Sequence, residues 1–379
     1  MKKSTPSTSS RLASLDALRG FDLFVLVALG PLVLHYLDAS GDTSLSWLRE
    51  IFTHKDWEGF SPWDLIMPLF VFMSGVSIPF ALARMKREGK YLPFFMRLFR
   101  RVLLLWLLGM VVQGNLLGLD ATRVYLYSNT LQSIAAGYLI ASLFYMFSGW
   151  RVQIISAVLL LLAYWGAMEF ITVDGYGGGN YTPTGNLAEW IDRTVLGRYR
   201  DAATVDAAGQ VHFAPWYHYT WILSSLTFGV TALSGMLAGR IAREARLPRL
   251  TLYLVLGTAF VLLGWLWSNY LPIIKPLWTS SMVLFSSGLC FLLMGLFYYV
   301  YDVLHWHIFL DFLKVYGMNS ITAYLLSEVV NFRGVAHSVL YGLQHHFPVY
   351  YPFILTCAQV LIIFLILRAM HRKGIYLKV

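Results

Sequence analysis

The strongest constraint on this chain is the recurrence of apolar runs about 20 residues long, the length that crosses the hydrocarbon core of a bilayer. Ten spans are expected, near Phe21–Leu37, Trp63–Ala83, Leu98–Leu117, Leu131–Phe147, Val152–Ile171, Thr220–Ile241, Leu250–Tyr270, Trp278–Val300, Ile308–Val330 and Tyr351–Met370. The ninth is interrupted by Asp311, Lys314, Asn319 and Glu328. In lipid every backbone polar group must be satisfied internally, and runs of helical length therefore predict an all-α, polytopic helical bundle. Charged residues make up 13% of the 379 positions, against about 25% in soluble domains, which excludes a soluble enzyme. The expected organisation is a single transmembrane domain over 1–379, with a flexible cytoplasmic tail at 1–14 and an extracytoplasmic loop at 172–217.

Charge orients the bundle. Of the 29 Lys and Arg, 21 fall before the first span, after the last, or in the connections that share their side, and 8 fall opposite. The positive-inside rule then puts both termini in the cytoplasm, as an even number of spans requires. The same rule accounts for the net charge of +9 without nucleic acid. Cys290 and Cys357 both lie in spans and form neither a disulfide framework nor a metal-ligand spacing. The first 14 residues are polar and lack the apolar core of a signal peptide.

Against this background the polar residues stand out. His54–Gly75 (HKDWEGFSPWDLIMPLFVFMSG) runs from a histidine through a Gly-Phe-Ser-Pro turn into a span that still holds Asp64. An ionisable residue inside a span is costly, and an Asp64 that meets His54 at the outer face is a candidate site. Lys275 at the start of span eight and Asn129 and Gln132 at the start of span four share that face. Asn319 lies inside span nine, where a buried amide must be bonded to the bundle or to a ligand. In the outer loop, Asn186–Arg198 reads as a short amphipathic helix with Asn186 as its cap and Leu187, Trp190, Ile191 and Val195 as its apolar stripe. Such a helix is either a rest on the membrane surface or a cover over a polar site. His35 is a candidate to support His54. His345–His346 lack the partners of a metal site, and no metal is expected.

In collinear order, RLASLDALRGFDL, HKDWEGFSPWDLIMPLFVFMSGVSI, NTLQSIAAGY, WIDRTVLGR, KPLWTSS and GMNSI resemble the motifs of the transmembrane N-acetyltransferases related to heparan-alpha-glucosaminide N-acetyltransferase, which have many bacterial homologues. The resemblance covers nearly the whole chain. It implies a catalytic role for His54, and motif positions at Asp64, Gln132, Asp192, Arg193, Lys275, Trp278 and Asn319. The first two are expected to be catalytic and the rest to bind substrate. One departure concerns the acceptor. Family members acting on glucosaminides carry Asp-Pro-Glu-Gly before the sixth span, where this chain has FAPWYHYTW (Phe213–Trp221) with neither carboxylate.

Acetyl transfer needs a base for the acceptor proton and a stabiliser for the oxyanion. A histidine serves as base or transient acyl carrier, and a carboxylate such as Asp64 orients its ring. The resemblance implies acetyl-CoA as donor, made in the cytoplasm, and an amino sugar or glycan as acceptor on the other side, in a protein of the bacterial inner membrane. Arg19, Arg100 and Arg101 are candidates to hold the anionic end of the donor or to anchor lipid headgroups. O-acylation of a cell-envelope polysaccharide and transport of glycan precursors are the competing readings. A homodimer is left open.

Overall fold

The structure is a computed structural model that describes residues 12–113, 116–245, 247–306 and 309–377. Most of the expected tail at 1–14, as well as Lys2, Lys3, Arg11, Arg246, His307 and Lys378, lies outside the described residues. Twelve helices carry the architecture. They are α1 (Ala13–Ser40), α2 (Pro62–Glu88), α3 (Tyr91–Val112), α4 (Thr130–Phe147), α5 (Trp150–Phe170), α6 (Leu187–Leu196), α7 (Ser224–Glu244), α8 (Arg249–Trp267), α9 (Ser280–Val303), α10 (Leu310–Met318), α11 (Ser320–Val329) and α12 (Tyr351–Arg372).

Seven described helices are long and apolar enough to cross a membrane, namely α1, α2, α4, α5, α8, α9 and α12. The expected spans three, six and nine are helical as well, but each departs from a plain apolar run. Helix α3 carries Arg97, Arg100 and Arg101. Helix α7 is rich in Ser, Thr and Gly because it faces protein, with 15 of its 21 residues buried. Span nine is broken at Asn319 into α10 and α11. The α1 helix passes through a π-helical turn at Val25–Leu29.

Helices α2 and α7 form the centre of the bundle, flanked by α4. They touch backbone to backbone. A Cβ on Gly235 would lie 1.9 Å from the Phe72 carbonyl oxygen, and one on Gly75 would lie 2.0 Å from that of Ala232. Small residues are what permits this approach between membrane helices. Helix α1 crosses α10 in the same manner, through Gly20 and Gly317. Helices α8 and α9 pair along their length, and α8 buries only Tyr253, Gly257 and Gly264.

The loop between α5 and α7 is ordered. Two antiparallel hairpins, β1–β2 (Thr172–Val173 with Tyr176–Gly177) and β3–β4 (Ala203–Val205 with Val211–Phe213), flank α6. Asn186 caps α6 as expected, its Oδ1 accepting from the Glu189 amide at 2.8 Å. The side α6 presents inward is not the expected apolar stripe. Leu187 is buried but Val195 is 66% exposed, while Glu189 and Asp192 point into the protein. The cause is electrostatic: Glu189 meets the buried Arg200 guanidinium at 2.5 Å and Arg193 at 2.7 Å, so the charges are paired inside. The loop packs against α5 and the 271–279 turn through Tyr164, Met168, Leu187, Ile274 and Leu277.

Candidate active site

The segment between Thr53 and Pro62 is an irregular loop pinned at both ends. The Ser61 hydroxyl donates to the Thr53 carbonyl at 2.7 Å. Gly59, at φ +110°, turns its amide onto the Ile273 carbonyl at 2.9 Å, and Trp57 Nε1 donates to the Tyr181 carbonyl at 2.9 Å. Pro62 opens a 3₁₀ turn whose third residue is Asp64, and the Asp64 carboxylate reaches back to the Ser61 amide at 2.9 Å. Asp64 is thus a helix cap by one oxygen. Its other oxygen lies 2.7 Å from His54 Nδ1. A carboxylate there fixes the tautomer, with Nδ1–H donated to Asp64 and Nε2 left as the basic nitrogen.

The third member comes from far along the chain. Lys275 Nζ lies 3.0 Å from His54 Nδ1, 3.3 Å from Nε2 and 3.5 Å from Asp64 Oδ1. Burial holds the Lys275 ammonium down at about 8, with Asp64 pulling it back up. Of the three side chains only His54 is open, at 45% exposure against 1% for Asp64 and 7% for Lys275. The imidazole is therefore the group a substrate can reach.

His54 and Lys275 line a cavity of about 790 Å³ within the bundle, with Asp64 behind His54. Toward the side where the Lys and Arg excess gathers, Arg19, Arg101 and Ser77 line the same cavity. Arg19 Nη2 donates to the Met73 carbonyl at 3.4 Å, and the Arg101 guanidinium lies 4.0 Å from the Tyr138 ring centroid. Arg100 points out of the bundle and does not line the cavity.

The remaining expected site residues stand behind the cavity wall. Gln132 is spent on its own helix start, its Oε1 accepting from Ser128 and Asn129 amides at 2.8 and 3.1 Å and its Nε2 donating to the Leu126 carbonyl at 2.8 Å. Asp192 accepts from the Trp221 and Ile222 amides at 2.7 and 3.0 Å. Burial pushes its carboxyl up to about 7 against the pull of those two bonds. Thr220 in turn donates its amide to the Pro276 carbonyl at 3.1 Å, and Ser224 and Tyr164 hydroxyls hold the Leu277 carbonyl at 2.9 and 2.7 Å. Asp192 thereby fixes the turn that delivers Lys275. Trp278 closes that turn at φ +53°, with Nε1 on Thr231 Oγ1 at 3.1 Å. This is the left-handed backbone region that a bulky residue enters only when its surroundings dictate it. Arg193 is held by Glu189 and lies over the Phe213 ring. Asn319 is buried with neither amide atom bonded among the described residues, while Gly317, Met318, Ser320 and Ile321 beside it line the cavity. His35 is engaged elsewhere, with Arg333 donating to its Nε2 at 2.8 Å and Nδ1 set against the Pro31 carbonyl.

Of a second polar wall, the sequence pointed only to Asn129. Gln113 Nε2 donates to Asp201 at 2.6 Å, Asn129 Nδ2 reaches Gln113 Oε1 at 3.4 Å and Tyr324 at 3.5 Å, and all four line the cavity. Tyr217, Tyr219 and Trp221 complete it, so the stretch that lacks the family's two carboxylates faces the cavity with aromatic rings. Burial pushes the Asp201 carboxyl up. No group of three or more potential metal ligands occurs among the described residues.

The family model described as heparan-alpha-glucosaminide N-acetyltransferase, catalytic, matches residues 11–175. Heparan-alpha-glucosaminide N-acetyltransferase of Mus musculus is 25% identical over 374 residues, covering 86% of this chain and 54% of that protein. The protein of the same name from Homo sapiens is 26% identical over 369 residues, covering 84% and 53%. The chain spans about half the length of these curated relatives. His54, Asp64, Arg19 and Arg101 all fall within the matched segment, and in sequence the chain is similar to the heparan-alpha-glucosaminide N-acetyltransferases.

Proposed function

We propose that this integral membrane protein is an acyltransferase that moves the acetyl group of acetyl-CoA to an amino sugar or glycan amine. The donor enters from the basic end of the cavity, and the acceptor meets it at His54. The observation that carries this reading is one cavity lined both by His54 and Lys275, with Asp64 bonded to each of them, and by Arg19 and Arg101 from the basic side of the helices. With the basic side cytoplasmic, the orientation that the positive-inside rule favours for this Lys and Arg distribution, transfer proceeds across a bacterial inner membrane.

The chemistry follows from the geometry. The acceptor nitrogen attacks the thioester carbonyl, and His54 Nε2 takes the proton that nitrogen gives up. Asp64 holds Nδ1–H and stabilises the imidazolium that forms. The Lys275 ammonium, charged below about pH 8, faces the developing oxyanion. The C–S bond then breaks, and the sulfur of CoA leaves with the proton returned by Nε2. The phosphates of the donor fall to Arg19 and Arg101. A histidine acylated on Nε2 before the acceptor arrives is the two-step version of the same transfer.

The test uses purified protein, radiolabelled acetyl-CoA and a series of amino sugars, with CoA release and acetylated product both measured. Wild type is expected to bind the donor and release CoA in step with acetylated amine. His54→Ala is expected to bind it and release none. A His54→Ala protein with full activity would overturn the reading, and so would a folded wild type that binds no acetyl-CoA.

A further inference from the structure

A second cavity, of about 590 Å³, opens between α5, α7 and α8, and no residue lines both cavities. Its walls are hydrocarbon, with Val158, Leu162, Leu233, Leu237, Phe260 and Leu263 representative. A sugar or a nucleotide finds nothing there to bond. At the basic end the character changes. Gln153 is already committed to the Phe144 and Ser148 carbonyls, which leaves Arg240 as the charged group at the mouth. Arg240 is not alone. It lies 5.8 Å, and Lys86 5.0 Å, from the centroid of the Tyr145 ring, and Arg243 is anchored beside them on the Pro79 carbonyl at 2.6 Å. The carboxylate that answers these three cations is Glu244, at 3.8 and 3.9 Å from Arg240 and Arg243. The cluster therefore keeps an excess of positive charge at the end of an apolar groove.

We propose that this groove is a binding site for an anionic glycerophospholipid, with an acyl chain along α5 and α7 and the phosphate on Arg240. Along α7 the lining runs from Val230 to Arg240, about 15 Å at 1.5 Å per residue, and along α8 and just past its end it continues to Trp267 and Tyr270, room for an extended acyl chain. Basic pockets between membrane helices select anionic headgroups through the same electrostatics that gather such lipids around polybasic segments. Exposed Trp150, with Arg151 over its ring, marks the headgroup level beside the mouth. The site is separate from the cavity at His54 and stands whether or not the acyltransfer reading does.

The experiment is delipidation of the full chain in mild detergent, then native mass spectrometry and thermal melting with phosphatidylglycerol or phosphatidylcholine of matched chains. Wild type is expected to retain phosphatidylglycerol about tenfold better than phosphatidylcholine and to melt higher with it. Arg240→Gln should lose that preference while still retaining lipid. Ala157→Trp, which puts an indole into the groove, should lose retention of both. Equal retention of the two lipids by wild type would overturn the proposal, as would a preference that survives in either variant. Should Arg240→Gln not fold, Ala157→Trp alone decides. A second copy of the chain in the groove, seen as a dimer that Ala157→Trp dissociates without loss of lipid, would also overturn it.

Discussion

The central cavity, about 790 Å³, and the lateral one, about 590 Å³, are opposite in what they can do. The central one is bordered by His54, Lys275, Asp201, Arg19 and Arg101, groups that a bilayer span normally excludes. The lateral one is bordered by Leu, Val and Phe, with charge only at its mouth. The difference arises from who faces whom. Around the central cavity, polar groups are brought together by loops that bond to one another: the 53–61 loop to Ile273, the 181 turn to Trp57, the 220 turn to Pro276. Around the lateral groove, the largely exposed α5 and α8 meet the buried α7 with no polar loop between them. Polar chemistry in a membrane protein needs second-layer residues to hold it in register, and those residues are visible here around only one of the two cavities.

Substitutions separate the two. The largest effect is expected for His54→Gln, which keeps the side-chain volume but removes the base, with acetyl transfer falling by about 10²–10⁴-fold in a CoA-release assay. Lys275→Met should lower the maximal rate by about 10²–10³-fold, the cost of an oxyanion donor, with donor affinity little changed. Lys275 also predicts a pH dependence. The ammonium is charged below its pKa of about 8, so the wild-type rate should decline as pH rises through about 8, and Lys275→Arg should move that decline upward. The same shift acts on stability. Between about 8 and the ordinary lysine range the unfolded chain holds the proton more tightly, and stability should rise with pH across that window.

Smaller effects sharpen the distinction between lining and supporting residues. Arg101→Gln should weaken donor binding about tenfold by titration, whereas Arg100→Gln should leave it unchanged. Asp192→Ala orphans the buried Trp221 amide and the partly buried Ile222 amide and should cost about 3 kcal/mol of stability, read as a lower melting temperature in detergent. Its effect on the maximal rate should exceed its effect on acceptor KM, because it acts through the Lys275 turn. Leu162→Ala, in the lateral groove, should leave transfer unaltered. An activity loss there as large as that of Lys275→Met would break the separation of the two cavities.

Much of this was legible in the chain. The His54–Asp64 pair could be read because both residues are costly at a membrane face and a Pro-containing turn between them folds the chain back. The interruption of span nine was visible in Asn319. What sequence did not disclose is that the helix stops there, where Gly317 packs onto the Asp16 carbonyl and the backbone turns. Gln132, Asp192 and Trp278 illustrate a second limit. A motif marks a residue as part of a site without saying whether it faces the cavity or holds the residue that does. Gln113, Asp201 and Tyr324 were missed because nothing in their neighbourhoods sets them apart, and only the packing of α3, α4 and α11 against the loop that carries Asp201 makes them one wall. For Arg100 and Arg101 the signal was present. Arg101 shares a helix face with the buried Leu98 and Leu105, three before and four after it, and Arg100 does not.

The proposed transfer needs one cavity that serves donor and acceptor from opposite sides. Its most direct test is transfer in sealed vesicles of known protein orientation, with acetyl-CoA supplied only at the basic side and a membrane-impermeant amino sugar only at the His54 side. Acetylated sugar confined to the His54 side, with free CoA on the other and neither formed by His54→Gln, is the predicted result. Product formed only when donor and acceptor are placed on the same side would contradict it.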